Sequence, residues 1–119
     1  MWKFPRSSRL LTADQFDRVF QRRQSQADES MVVYACENDV GRPRLGLVVS
    51  RKCGNSVRRG RWKRCLREAF RLSQHQLPPG LDFVIIPRPQ VEPQTPRLRE
   101  SLVQLASKLV ARMRTDRLP

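Results

Sequence analysis

Between Arg51 and Arg71 the chain places nine basic side chains against one acid, Glu68. The cations are Arg51, Lys52, Arg58, Arg59, Arg61, Lys63, Arg64, Arg67 and Arg71. Such groups donate charge-assisted hydrogen bonds, and the guanidinium fork matches two oxygens of a phosphate. Holding a polyanion is therefore the chemistry open to them. Breaking a bond is a different task, needing paired acids and bases or a metal with its ligands. The 11 Asp and Glu form no evident cluster, and the one histidine, His75, falls near a helix end, where a surface position accounts for it. Cys36, Cys53 and Cys65 show no CxxC spacing and have no histidine nearby. They read as reduced thiols of a cytoplasmic protein, not as a zinc site or a disulfide framework. The residues thus predict no catalytic side chain and no metal ligand.

A helix must position the cations. Gly54-Asn55-Ser56 supplies N-cap side chains, and the helix then runs to about Ser73. At about 100° per residue, Cys65, Leu66, Ala69, Phe70 and Leu72 fall within about 80° of Trp62. Arg61, Lys63, Arg64, Arg67 and Arg71 fall between about 100° and 260°, on the far side. One face packs and the opposite face is a wall of cations. A merely solvated basic face usually interleaves acids at i,i+4, and here Glu68 stands alone. Arg58 and Arg59 occupy the first turn, where the helix dipole is already positive, so helix stability does not explain them.

The rest of the chain supplies the support. Thr12 and Gln15 form a capping box, followed by Phe16, Val19 and Phe20 at helical spacing, which predicts a helix over Thr12–Arg23. On pattern alone those phenylalanines are core residues. Gln24–Ser30 is a polar connection with room for a short strand, and Met31–Cys36 is a β-branched strand. The turn formers Asn38–Pro43 precede a second strand, Leu45–Ser50, and the two strands are expected to pair as an antiparallel hairpin. Pro78-Pro79-Gly80 leads into Phe83-Val84-Ile85-Ile86, too continuously apolar for an exposed edge. After Arg88 and a proline-rich link, Thr95-Pro96 starts a last helix with an apolar stripe through Leu98, Leu102, Leu105 and Leu109. The order, helix, strands, helix, strand, helix, predicts an α+β sandwich with a mixed sheet of three to four strands.

A length of 119 residues suits a single domain, residues 1–119, with short flexible termini. Hydrophobic residues at 39% are enough for a modest core, which argues against wholesale disorder. No apolar run approaches the roughly 18–20 residues of a bilayer crossing, and the start MWKFPRSSRL lacks the apolar stretch of a signal peptide. A formal net charge of +13 makes self-repulsion costly without a polyanionic partner. No zinc-finger spacing, heptad zipper or helix-turn-helix pair points to DNA. Aromatics on a sheet beside a basic helix better suit single-stranded RNA.

The ordered set from Leu47 to Phe70, LVVSRKCGNSVRRGRWKRCLREAF, resembles the bacterial ribonuclease P protein subunit family. The resemblance extends to Arg9-Leu10, Phe16, Phe20, Tyr34, Phe83–Ile86 and the closing helix, and so covers nearly the whole chain. It implies a two-layer α/β sandwich like ribosomal protein S5 domain 2, with a left-handed βαβ crossover, where ordinary handedness rules predict the opposite. It implies two partners, a catalytic RNA and precursor tRNA, with neither DNA nor a membrane involved. The RNA, with bound Mg²⁺, would perform the hydrolysis that removes the 5′ leader, and the isolated polypeptide would be inert. The protein would raise the affinity for functional metal ions. Carried over by position, Arg51, Lys52, Asn55, Arg58, Arg59, Arg61, Lys63, Arg64, Arg67 and Arg71 would dock the catalytic RNA. Phe16, Phe20, Tyr34, Val48 and Arg88 would line a cleft for the leader. One departure is Gly60, where the family has Asn, and a mid-helix glycine costs about 1 kcal/mol relative to alanine. Trp62 stands where a smaller aliphatic is usual and can bury more area. A stand-alone RNA-binding protein of ribosomal or chaperone type is the alternative, and DNA packaging a third possibility.

Overall fold

In the computed structural model, which describes residues 6–116, the first helix, α1, spans Ala13–Gln21. Its start is the expected capping box. The Thr12 hydroxyl accepts the Gln15 N–H at 3.2 Å, and the Gln15 side chain accepts the Thr12 N–H at 3.1 Å. The chain reverses at Arg23, whose φ of 57° is uncommon for a residue other than glycine. The polar connection does hold a short strand, β1, Ser25–Ala27. Asp28 then accepts the N–H groups of Ser30 and Met31 at 2.8 and 3.1 Å, which turns the chain into β2, Met31–Glu37. Strand β3 covers Arg44–Leu47, helix α2 Ser56–Ser73, strand β4 Leu81–Pro87 and helix α3 Thr95–Asp116. The termini expected to be flexible lie outside the described residues.

The sheet order is β1-β2-β4-β3, which corrects the expected hairpin. β2 and β3 do not pair with each other. β4 lies between them, antiparallel to β2 (Tyr34 opposite Val84) and parallel to β3 (Gly46 opposite Val84). The reason lies in β4, which is apolar on both faces and therefore takes a central position. The turn formers do not close a hairpin. They carry the chain past the start of β4, where the Asn38 N–H donates to the Gly80 carbonyl at 2.8 Å. β3 also ends sooner than expected, at Leu47, although the Val48 N–H still donates to Ile85 at 3.0 Å. Because β3 and β4 are adjacent and parallel, α2 is the crossover between them.

Side chains alternate across the sheet and so divide the core in two. Met31, Val33, Ala35, Leu45, Phe83 and Ile85 face α2 and α3, meeting Trp62, Leu66, Phe70, Leu98, Leu102, Leu105 and Leu109. This is the two-layer sandwich. On the opposite face a smaller cluster, Leu10, Val19, Cys36 and Val84, holds α1. The short helix covers only part of that face.

Candidate nucleic-acid interface

What α1 leaves uncovered is a cleft. Val32, Tyr34, Val48 and Ile86 are only half-buried on the face that carries Val84. Phe16 and Phe20 are also half-buried, each with one side on the small cluster and the other open. Phe20 meets Tyr34 edge to face, with centroids 4.9 Å apart and an interplanar angle of 80°. Phe16 lies directly on the backbone of β3. A Cβ on Gly46 would come within 2.6 Å of its ring, so only glycine lets the ring settle there. The core reading of the phenylalanines is therefore half right, because the same rings close the small core and line the cleft.

A buried carboxylate fixes α1 over the sheet. Asp82 is fully buried, yet both its oxygens are used. Oδ1 accepts from Asn38 Nδ2 at 2.7 Å and Arg44 Nε at 2.8 Å, and Oδ2 accepts from Arg44 Nη2 at 2.8 Å and from Arg18 Nη2. The bond to Asp82 holds the Arg44 guanidinium more firmly protonated than usual. Arg22 adds a fork to Glu37 at 3.0 and 3.3 Å. Burial pushes the nearby Cys36 thiol up.

On the other functional element, α2, the cations divide by environment. Asn55 caps the helix, its Oδ1 accepting the Arg58 N–H at 2.9 Å, so that oxygen serves the fold. Arg58 pairs with Glu92 at 3.0 Å, Arg59 Nε donates to the Gly54 carbonyl at 3.3 Å, and Arg71 forks onto Glu68. The Arg71 bond holds the Glu68 carboxyl below its usual range. Arg51, Lys52, Arg61, Lys63, Arg64 and Arg67 form no ion pair among the described residues. Arg61 and Arg64 point outward, while Lys63 and Arg67 lie half-buried on the flank toward α1. Burial, and after it the charge of Arg9, lowers the Arg67 pKa. Trp62 anchors the packed side at zero exposure, although its Nε1 has no acceptor among the described residues.

The structure brings Phe16, Phe20, Tyr34 and Val48 together around one cluster. Arg88 lies just past the end of β4, where its Nε donates to the Asp28 carbonyl at 2.8 Å. Four positions went unrecognised in the sequence: Gly46 beneath Phe16, Asp82 as the clamp, and Val32 with Ile86 as cleft floor. For Asp82 there was a signal, an acid inside an otherwise apolar strand. Among the described residues no three His, Cys, Asp or Glu stand close enough to hold a metal ion, and no helix is long and apolar enough to cross a membrane.

Fold and site together define a class: a small α+β domain that sets an unneutralised cationic helix face beside a half-open aromatic cleft. A family model described as Ribonuclease P matches residues 4–110, and the chain belongs to that family. The ribonuclease P protein component of Photorhabdus laumondii is 43% identical over 86 residues, 71% of this chain and 71% of that protein. That of Brevibacillus brevis is 45% identical over 91 residues, 76% of this chain and 72% of that protein. The solved RNase P protein from Thermotoga maritima gives a TM-score of 0.74 at 34% identity, covering 84% of this chain and 96% of that one. The Staphylococcus aureus RNase P protein gives 0.73 at 30% identity, covering 87% and 94%.

Proposed function

We propose that this chain is the protein subunit of ribonuclease P, binding a catalytic RNA and the single-stranded 5′ leader of precursor tRNA in the cytoplasm. The observation that carries this reading is the set of unpaired cations on α2 beside a cleft whose aromatic rings are half open. Cations without carboxylate partners suit phosphates, and exposed ring faces suit unstacked bases. α2 and the turn before it dock the RNA through Arg51, Lys52, Arg61, Lys63, Arg64 and Arg67, while Phe16, Phe20 and Tyr34 receive the leader. Arg58, Arg59 and Arg71, already bonded within the protein, contribute mainly positive field, and Asn55 keeps the helix start in place. In this reading the Mg²⁺ that serves the hydrolysis is held mainly by the RNA, and no step is assigned to a protein-bound ion. The polypeptide binds and orients, and RNA performs the endonucleolytic hydrolysis.

The test is reconstitution at low Mg²⁺. Adding the protein to ribonuclease P RNA should restore leader removal from precursor tRNA. An unchanged cleavage rate, with RNA binding intact, would instead make it a stand-alone RNA-binding protein.

A further inference from the structure

The helical layer carries a second cationic surface, on α3, that neither the basic face of α2 nor the cleft uses. From Val103 to Thr115, between the acids Glu100 and Asp116, α3 has three cations and no acid. Lys108, Arg112 and Arg114 are all exposed and form no ion pair among the described residues. Helix stability does not account for them. Lys108 and Arg112 stand at i,i+4, where like charges repel. The dipole at a helix C-terminus favours cations within the last turn, and of the three only Arg114 lies there. At about 100° per residue, Lys108 and Arg112 fall on one flank of the solvent face and Arg114 on the other, with exposed Ser107 and Ala111 between them. No side chain of α3 is aromatic. The surface is also distant from the start of α2. Both helices run the same way: Arg58 and Cys65 meet Glu92 and the Pro93 carbonyl just before α3, and Gln76, past the end of α2, shares a cavity with Ser107, Val110 and Arg114. At 1.5 Å per residue, Lys108 stands about 20 Å along the layer from Thr95.

We propose that this face of α3 docks a double-helical segment of the catalytic RNA, as a second attachment point beyond the one on α2. The proposal rests on the RNA-binding reading above and extends it to another helix. Charge decides the class of partner, because exposed cations with no carboxylate among them complement a polyanion. The lack of aromatics decides its form. An unstacked strand offers bases that need rings to stack on, whereas a duplex offers phosphates and 2′-hydroxyls along a wide, shallow minor groove. Two cationic flanks with a low ridge of Ser107 and Ala111 between them fit such a groove, one flank toward each strand. Position decides which RNA. α3 lies on the α2 side of the sheet and the cleft on the other, so the RNA held by α2 reaches α3 without crossing the leader.

The test measures binding of the full chain to ribonuclease P RNA across a salt series. Lys108→Gln/Arg112→Gln changes two exposed positions to another good helix former, so the fold is kept. It should lose about ten- to a hundredfold in affinity at low salt, the size expected for hydrogen bonds to a charged group. Its log–log salt slope should shrink by about two, one for each phosphate contact removed. Arg23→Gln/Arg42→Gln removes the same charge from exposed positions outside α2 and α3 and should leave the slope unchanged. A nuclease that cuts paired RNA should be blocked over one duplex of the catalytic RNA by the unaltered protein. At concentrations where both proteins are bound, the α3 variant should leave that duplex open. Equal slope changes in the two double variants would overturn the proposal, as would a duplex footprint that Lys108→Gln/Arg112→Gln leaves in place. Weaker binding of tRNA to the holoenzyme, with binding of ribonuclease P RNA unchanged, would assign α3 to the substrate and overturn it too. Failure of the broader reading looks different: the unaltered protein would then bind ribonuclease P RNA no better than an unrelated structured RNA.

Discussion

Replacing Asp82 by asparagine tests whether a single buried carboxylate holds α1, and with it the cleft, in place. The side chain is fully buried and accepts from Asn38, Arg18 and twice from Arg44. In Asp82→Asn one acceptor becomes an NH₂ donor facing guanidinium donors, and Arg44, only 16% exposed, loses its counter-charge. Removing one partner of a buried pair costs about 3–5 kcal/mol. Arg18 is 46% exposed and can turn to water, which places the expected loss at the low end, about 3 kcal/mol. For a domain of this size that corresponds to a fall in Tm of about 12 °C. Urea unfolding should show a lower midpoint at an unchanged m value. With α1 loosened, affinity for precursor tRNA should fall further than affinity for mature tRNA. A drop of less than about 4 °C would refute the clamp, because it would mean that the buried guanidinium found another partner at little cost.

Gly60 has no positive φ, and a Cβ there would meet only Arg64 Nη1 at 3.5 Å, an ordinary contact. Gly60→Ala should therefore stabilise α2 by up to about 1 kcal/mol and raise Tm by about 3–4 °C, and an unchanged or lower Tm would contradict the helix-propensity account. Phe20→Ala should weaken precursor tRNA binding and leave mature tRNA almost unaffected; equal losses would remove Phe20 from leader recognition. Six cations of the Arg51–Arg71 stretch carry no ion pair among the described residues, so the log–log salt slope for RNA binding should lie near −4 to −7, roughly the value for five to eight neutralised phosphates. In the native protein an alkylating reagent should label half-buried Cys65 before Cys36 or Cys53, which are 8% and 2% exposed, and simultaneous labelling would mean that both the small and the main core open readily.

Local patterns were the most legible part of the sequence. The Thr12 capping box, the Asn55 cap and the two-faced α2 all depend on residues within a few positions of one another, where side-chain spacing and backbone geometry are directly linked. Strand pairing was not legible in that way. Met31–Cys36 and Leu45–Ser50 look like a hairpin because turn formers separate them, and only the apolar content of both faces of β4 decides that it lies between them. The dual role of Phe16 was hidden for a similar reason. Helical spacing predicts that the ring points at the sheet, but not that α1 is too short to cover that face, nor that a glycine 30 residues onward leaves a seat for it. Asp82 could have been suspected, since an unpaired charge would not survive in so apolar a strand. Its partners Arg18, Asn38 and Arg44 come from three different segments and are visible only once the chain has folded.

The same long-range logic explains why Arg9 reaches α2. β3 is the outer strand on its side of the sheet, and an open edge exposes unpaired N–H and C=O groups. The segment before α1 covers that edge with one parallel bridge, Arg9 to Leu45, in which the Leu10 N–H donates to the Leu45 carbonyl at 2.9 Å. Leu10 turns into the small core and Arg9 toward the flank of α2, because neighbouring residues of extended chain point to opposite sides. Covering the edge and setting Arg9 beside Arg67 are thus one structural event. A change that breaks the bridge, such as proline at Leu10, which removes the donating N–H, should uncover the β3 edge and withdraw Arg9 from Arg67 together. Withdrawal of Arg9 from Arg67 with the edge still protected from hydrogen exchange would show that the two are separable.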